Sequence, residues 1–228
     1  MMCVLTAIGV LILAVAAFWA AIAALFWRDV QAVFDRDPAA TSFLEVLLTY
    51  SGVHALIFYR IARSLRRLDM PFFSRVISQM GKFFTGIEIH PGAQIGKDLF
   101  IDHGMGLVIG ETTIIGSGVT LYQGVTLGGT GKEKGKRHPT IGRNVVVGAG
   151  AKVLGNIMVG DNSYVGANAV VIRDVPANAT VVGVPARITK QEGRKMDVAL
   201  DHIHMLDPVR QAMEDLEKRI KKLEKDQG

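Results

Sequence analysis

The sequence predicts a mainly β protein: a left-handed parallel β-helix of hexapeptide repeats, preceded by an α-helical domain and followed by a helix. Three observations carry that reading. The first is a period of six: Ile89, Ile95, Ile101 and Leu107, then, after a slip of two, Ile109, Ile115, Leu121 and Leu127, and later Ile141, Val147, Val153, Val159, Val165, Val171 and Ala177. The second is a companion column of small or aliphatic residues four places on, including Ala93, Leu99, Val119, Val125, Val145, Ala151, Ile157, Ala169 and Val175. Neither a helix nor a flat strand has period six, whereas a three-sided prism does, because each hexapeptide makes one short strand and one corner. The third is a change of periodicity on both sides of this region, to the spacing of helices.

Residues 1–27 carry no charged side chain, and the first charge is Arg28. As a helix they would cover roughly 40 Å at about 1.5 Å per residue, enough to cross a bilayer. The run is too long and lacks the basic start of a cleaved signal peptide. It therefore reads as a membrane anchor, as a buried helix or as an extension that is not translated. Because Arg28, Arg36 and all later cations lie on its C-terminal side, an anchor would leave the body in the cytoplasm. Residues 28–86 form the helical domain. Leu44, Leu47 and Leu48 begin an apolar face continued by Val53, Leu56 and Ile57, with a break at Ser51-Gly52. A further helix starts at Pro71, whose fixed φ suits a first turn, with Phe72, Phe73, Val76 and Ile77 on one face.

The β-helix occupies 87–186, in four to five coils. Within it, residues 128–140 carry four glycines, five charges and no aliphatic side chain, so they leave the coil as an exposed loop. Residues 187–228 form the tail, where Leu206, Val209, Met213, Leu216, Ile220 and Leu223 alternate spacings of three and four. That short heptad pattern reads as a three-stranded coil or as an amphipathic helix on its own subunit.

Composition narrows the function. One cysteine, Cys3, excludes an internal disulfide framework. The net charge is +5. Basic residues gather over 60–82 and 132–137, without the interleaved aromatics that read nucleic acid. A basic loop beside a β-helix suits a small anionic ligand.

The chemistry-bearing residues lie at the start of the β-helix and in its loop: Glu88, Asp102-His103 and Arg137-His138. Glu88 precedes His103 by fifteen residues, close to one coil, so a carboxylate on a neighbouring coil could hold the imidazole. Nucleophilic catalysis has no support, since the cysteine lies in the apolar segment and no serine sits in a G-x-S-x-G elbow. General-base catalysis by His103 remains. A zinc centre on His90, His103 and His138, as in β-helices that hydrate carbon dioxide, is the competing use of the same side chains.

The strings GIEIHPGAQIGKDLFIDHGMGLVIGETTIIG, YQGVTLGGTGKEKGKRHPTIG, VVVGAGAKVLGNI and VVGVPARI resemble serine O-acetyltransferase, the first enzyme of cysteine biosynthesis. Upstream, FDRDPAATSFLEVLLTYSGVHALIFYRIA is similar to that family's helical domain. The resemblance implies transfer of acetyl from acetyl-CoA to the L-serine hydroxyl, with no metal. It implies His103 as general base and Glu88 as its carboxylate partner, in place of the usual aspartate. Asp37 and Asp102 would hold the amino group of serine, and Arg137 and His138 its carboxylate. Gly129, Thr130, Ala149, Ala167 and Arg187 would meet coenzyme A. Sites between subunits of a homotrimer are also implied, with a dimer of trimers left open because the helical domain is short. The chain lacks the C-terminal isoleucine with which family members dock into O-acetylserine sulfhydrylase, so that complex is not expected. An acetyltransferase for another small hydroxyl acceptor, a zinc carbonic anhydrase and a silent scaffold are the other readings, and Asp37, Asp102 and Arg137 together favour an amino-acid acceptor.

Overall fold

The computed structural model describes residues 9–10, 27–131, 134–191 and 216–220. Among the described residues from 27 onward, helices come first: α1 (27–34), α2 (Phe43–Thr49), α3 (Ser51–Arg67) and α4 (Pro71–Thr85). Short strands follow, one per side of a prism. The first side stacks β1 (Glu88–Ile89), β4 (Val108–Ile109), β7 (Thr126–Gly128), β10 (Lys152–Leu154) and β13 (Val170–Val171). The second stacks β2 (Gln94–Ile95), β5 (Ile114–Ile115), β8 (Thr140–Ile141) and β11 (Met158–Val159). The third stacks β3 (Phe100–Asp102), β6 (Thr120–Tyr122), β9 (Val146–Val147), β12 (Tyr164–Val165) and β14 (Ala179–Val182), all parallel, and then β15 (Arg187–Gln191), which returns antiparallel on β14.

The aliphatic columns fill the prism. From Ile89 to Val171 every column residue is buried except Ile95 and, in the companion column, Ile157, which pack partly buried against the same core. At about 25 cal/mol per Å² this stacked apolar surface is the main favourable term for the domain. One column assignment fails. Ala177 is exposed, because the last coil is short: Tyr164 pairs with Thr180, sixteen residues on, and Val175 takes the place beside Val159. Asparagines at positive φ turn the corners between the second and third sides. Asn144, Asn162 and Asn178 stack there, joined by amide–amide hydrogen bonds of 3.2 Å.

The helical domain clasps the start of this prism. Arg36 donates to the carbonyls of Val119 and Asp98 and to the Thr120 hydroxyl. Arg60 holds buried Asp29 through two bonds of 2.8 Å, joining α1 to α3. Tyr59 Oη donates to the Ala93 carbonyl at 2.7 Å. The break between α2 and α3 falls at Tyr50, one residue before the expected Ser51.

Helix α4 does start at Pro71, but it packs through the opposite face from the one expected. Its buried residues are Ser74, Ser78, Gly81 and Thr85, whereas Phe72, Phe73 and Val76 are exposed. Close approach decides this: a Cβ on Gly81 would sit 2.8 Å from the Phe58 Cβ, which only small residues permit. The serine hydroxyls then bond across the contact, to the carbonyls of Ala62 and Ile89.

The anchor expected over 1–27 lies outside the described residues except at 9, 10 and 27; among the described residues no helix is long and apolar enough to cross a membrane. Of the expected heptad, residues 216–220 are helical and the rest lies outside the described residues.

Candidate active site

The slip of two in the repeat becomes a structural feature. Glu88 pairs with Val108, twenty residues on, whereas Val108 pairs with Thr126, eighteen on. On the third side, Asp102 pairs with Tyr122. Past the corner, Gly124 N–H donates to Met105 O, just as Gly150 N–H donates to Gln123 O and Asn168 N–H to Ala149 O. The edge between the third and first sides therefore carries a column Met105, Gln123, Ala149, Ala167. His103 and Gly104 are the two extra residues, extruded from the first coil. Both have positive φ, 55° and 75°, and the His103 side chain is 77% exposed. Histidine tolerates this left-handed conformation better than most side chains. Ser51 Oγ donates to the His103 carbonyl at 3.0 Å, so the N-terminus of α3 ties the corner down.

Carboxylates and phenols collect around this insertion edge. Asp102 Oδ1 lies 3.7 Å from His103 Nε2. Asp37, placed by the docked Arg36 beside it, accepts from Ala39 N–H and from Tyr50 Oη, each at 2.8 Å. Tyr122 stands one coil above Asp102. Burial first, and then the hydrogen bond to Asp37 and the charge of that carboxylate, push the Tyr50 hydroxyl up to about 12. Burial, with Asp102 and Asp37, does the same for Tyr122, also to about 12. Both phenols therefore stay protonated donors. Sequence reasoning missed these two tyrosines. The slip was the available signal, because it makes the Asp102 partner the residue twenty places on, which is Tyr122.

Glu88 lies on the strand below this corner, where its N–H donates to Leu107 O. The sequence expects its carboxylate to hold the imidazole. In the structure it is taken by Lys82, on the last turn of α4, at 2.6 Å.

Arg137 and His138 are elsewhere. They close the long loop between β7 and β8, at the edge between the first and second sides, beside His90 on the first coil and Glu111 and Thr112 on the second. Gly129 and Thr130 open that loop and so share this loop edge. Arg137 lies 3.8 Å from Glu111, which Arg66 of α3 also holds at 3.1 Å. His138 is buried, and its burial together with Arg137 and Lys136 lowers its pKa against the pull of Glu111. Ala149 and Ala167 belong to the insertion edge, two and three coils above His103. Arg187 stands exposed on β15, near the top of that edge.

Within one chain the candidate residues thus divide between two edges of the prism, a full side apart. Six residues at about 3.3 Å each make that side up to about 20 Å. The zinc alternative fares no better, since His103 is on one edge and His90 and His138 on the other. Among the described residues no group of three or more His, Cys, Asp or Glu side chains could hold a metal ion.

His90 gives a pH prediction. Burial, with Arg75, Arg66 and His138, pushes it down to about 4 despite Glu111. Between about 6.5 and about 4 the unfolded chain binds a proton that the folded chain refuses, so stability rises with pH across this window. Thermal unfolding should move to lower temperature on acidification through it. His90→Asn, which can still accept from Gly92 N–H, should flatten that slope; equal acid sensitivity of the two proteins would contradict the assignment.

Residues 5–57 match the family model described as serine acetyltransferase, N-terminal, and residues 138–173 match that of the bacterial transferase hexapeptide (six repeats). The chain is 57% identical over 185 residues to the serine acetyltransferase of Staphylococcus xylosus, covering 81% of this chain and 86% of that protein. It resembles the Brucella abortus serine acetyltransferase crystallised with coenzyme A, with a TM-score of 0.72 and 45% identity over 74% of this chain and 67% of that one. The Neisseria gonorrhoeae serine acetyltransferase in complex with serine gives a TM-score of 0.71 and 39% identity over 75% of this chain and 70% of that one.

Proposed function

Because the chain belongs to the serine acetyltransferase family, we propose that it transfers the acetyl group of acetyl-CoA to the L-serine hydroxyl at sites shared between neighbouring subunits of a homotrimer. The observation that carries the shared site is the division of the substrate-handling residues between two edges. One serine can touch His103 and Arg137 together only if the insertion edge of one chain faces the loop edge of the next. A cyclic trimer supplies three such junctions.

In this reading coenzyme A lies along the insertion edge. Ala167 and Ala149 leave room for the pantetheine to run down to His103, and Arg187 at the top meets phosphate. Gly129 and Thr130 of the neighbouring chain close over it. Asp37 and Asp102 hold the serine ammonium, with the phenols of Tyr50 and Tyr122 packed around them. Arg137 and His138 of the neighbour hold the serine carboxylate through charge-assisted bonds.

His103 then takes the hydroxyl proton as the serine oxygen attacks the thioester carbonyl carbon. The tetrahedral intermediate collapses by breaking the C–S bond, and the imidazolium returns its proton to the departing thiolate. Glu88 is the carboxylate proposed to steady the imidazole, and Lys82 fixes its position on the strand below.

The family match over 5–57 takes in most of the apolar segment and supports its assignment to the helical domain in place of a membrane anchor. In this reading the enzyme works in the cytoplasm, with its co-substrate.

Thiol release from acetyl-CoA, with L-serine, L-homoserine and a galactoside offered in parallel, tests the acceptor. Release is expected with serine. Equal or faster release with another acceptor, or none with serine, would overturn the reading.

A further inference from the structure

The grip on the serine carboxylate is built on a residue that no motif singles out. Thr112 stands on the second coil, directly beneath the returning end of the long loop. Its Oγ1 accepts from the backbone N–H groups of Arg137, at 3.0 Å, and His138, at 3.1 Å. The same oxygen lies 2.8 Å from His138 Nδ1, and Thr112 N–H donates to that nitrogen at 3.2 Å. The Thr112 carbonyl accepts from Lys136 Nζ at 2.8 Å, and that ammonium also bonds the His138 carbonyl. Five contacts thus join one threonine to three consecutive loop residues.

The proton inventory follows. A backbone N–H can only donate, so His138 Nδ1 must be an acceptor and the ring proton must sit on Nε2. With two N–H groups donating to it, the Thr112 hydroxyl turns its own hydrogen to Nδ1. Gly110 completes the seat. A Cβ there would lie 2.2 Å from His138 Nε2 and 2.0 Å from Cδ2, so only glycine lets the imidazole lie down in this place.

We propose that Thr112 is the positioning residue of the carboxylate grip: it fixes the backbone of Arg137 and His138 and presents His138 to the substrate as a neutral Nε2–H donor. Burial and the neighbouring cations Arg137 and Lys136, which disfavour the imidazolium, act in the same direction. The proposal rests on reading Arg137 and His138 as the residues that hold the serine carboxylate.

Thr112→Val keeps the shape and removes the hydroxyl, and Thr112→Ser restores it. The test is steady-state kinetics of the full-length enzyme, with serine and acetyl-CoA varied in turn. T112V is expected to raise the serine KM roughly tenfold, as for loss of one to two hydrogen bonds that preorganise a charged site, while the acetyl-CoA KM moves less than about twofold. T112S should lie within about twofold of the wild type. An unchanged serine KM in T112V, or a T112S as impaired as T112V, overturns the proposal.

Nitrogen-15 NMR of the imidazole supplies a readout independent of serine and needs no variant. The unsubstituted enzyme should show His138 Nδ1 unprotonated and Nε2 protonated, and the reverse tautomer would also overturn the proposal. Arg137→Ala separates the two layers of the argument. If it raises the serine requirement and T112V does not, the positioning role alone fails. If neither does, the carboxylate grip itself is wrong.

Discussion

Replacing His103 is expected to lower kcat by at least about a hundredfold, the usual contribution of a positioned general base. No other group on the insertion edge can take over. Asp102, its nearest carboxylate at 3.7 Å, is assigned to the serine ammonium, and the phenols of Tyr50 and Tyr122 are pushed up to about 12 and hold their protons. The side chain is 77% exposed on an extruded corner, so its loss removes little packing. Its backbone is the complication, because a φ of 55° is costly for alanine. His103→Asn is therefore the cleaner variant, since asparagine tolerates that conformation and cannot act as a base. Both variants should fold, with asparagine retaining more of the wild-type thermal stability. Turnover within a few-fold of wild type in His103→Asn would refute the assigned role.

The second large effect is expected at Arg137. A desolvated, charge-assisted pair with a substrate carboxylate is typically worth about 2–5 kcal/mol when one partner is truncated, so kcat/KM for serine should fall on the order of a hundredfold or more in Arg137→Ala. Arg137→Lys should recover little, because an ammonium cannot reproduce the planar fork. The thermal midpoint should change little, since the ion pair with Glu111 is long, at 3.8 Å, and part-exposed, and such pairs contribute little to stability. An unchanged dependence on serine would remove Arg137 from the site.

Much of this architecture could be read from residue spacing. The columns from Ile89 to Val171 fixed the prism, because period six admits few other packings. The charged, glycine-rich run at 128–140 had to leave the coil, having nothing to stack. The slip of two after Leu107 was visible too, but not its meaning: it extrudes His103 and Gly104 from the edge.

What stayed hidden depends on contacts between distant segments. The apolar side chains of α4 suggested the wrong buried face, because close approach at Gly81 outweighs hydrophobicity there. Tyr50 joins the site through Asp37, which Arg36 positions from the helical domain, and no periodicity links those three residues to a β-helix corner. Nothing in the spacing marked Thr112, since its partners lie across an inserted loop. Glu88 was expected on a coil neighbouring His103, whereas both belong to the first coil, and nothing in the spacing announced that Lys82 would reach its carboxylate.

The claim that one site is built from two chains can be tested by mixing defects. Chains carrying His103→Asn and chains carrying Arg137→Ala, each with a different affinity tag, would be co-expressed, and the mixed trimers purified through both tags in succession. In any such trimer, whichever chain is in the minority, one junction of the three pairs an intact insertion edge with an intact loop edge. Thiol release should therefore return to about one third of the wild-type rate, from parents that are each nearly inactive. Mixed trimers no more active than either parent would mean that His103 and Arg137 serve the same site from a single chain, and the shared site proposed here would be wrong.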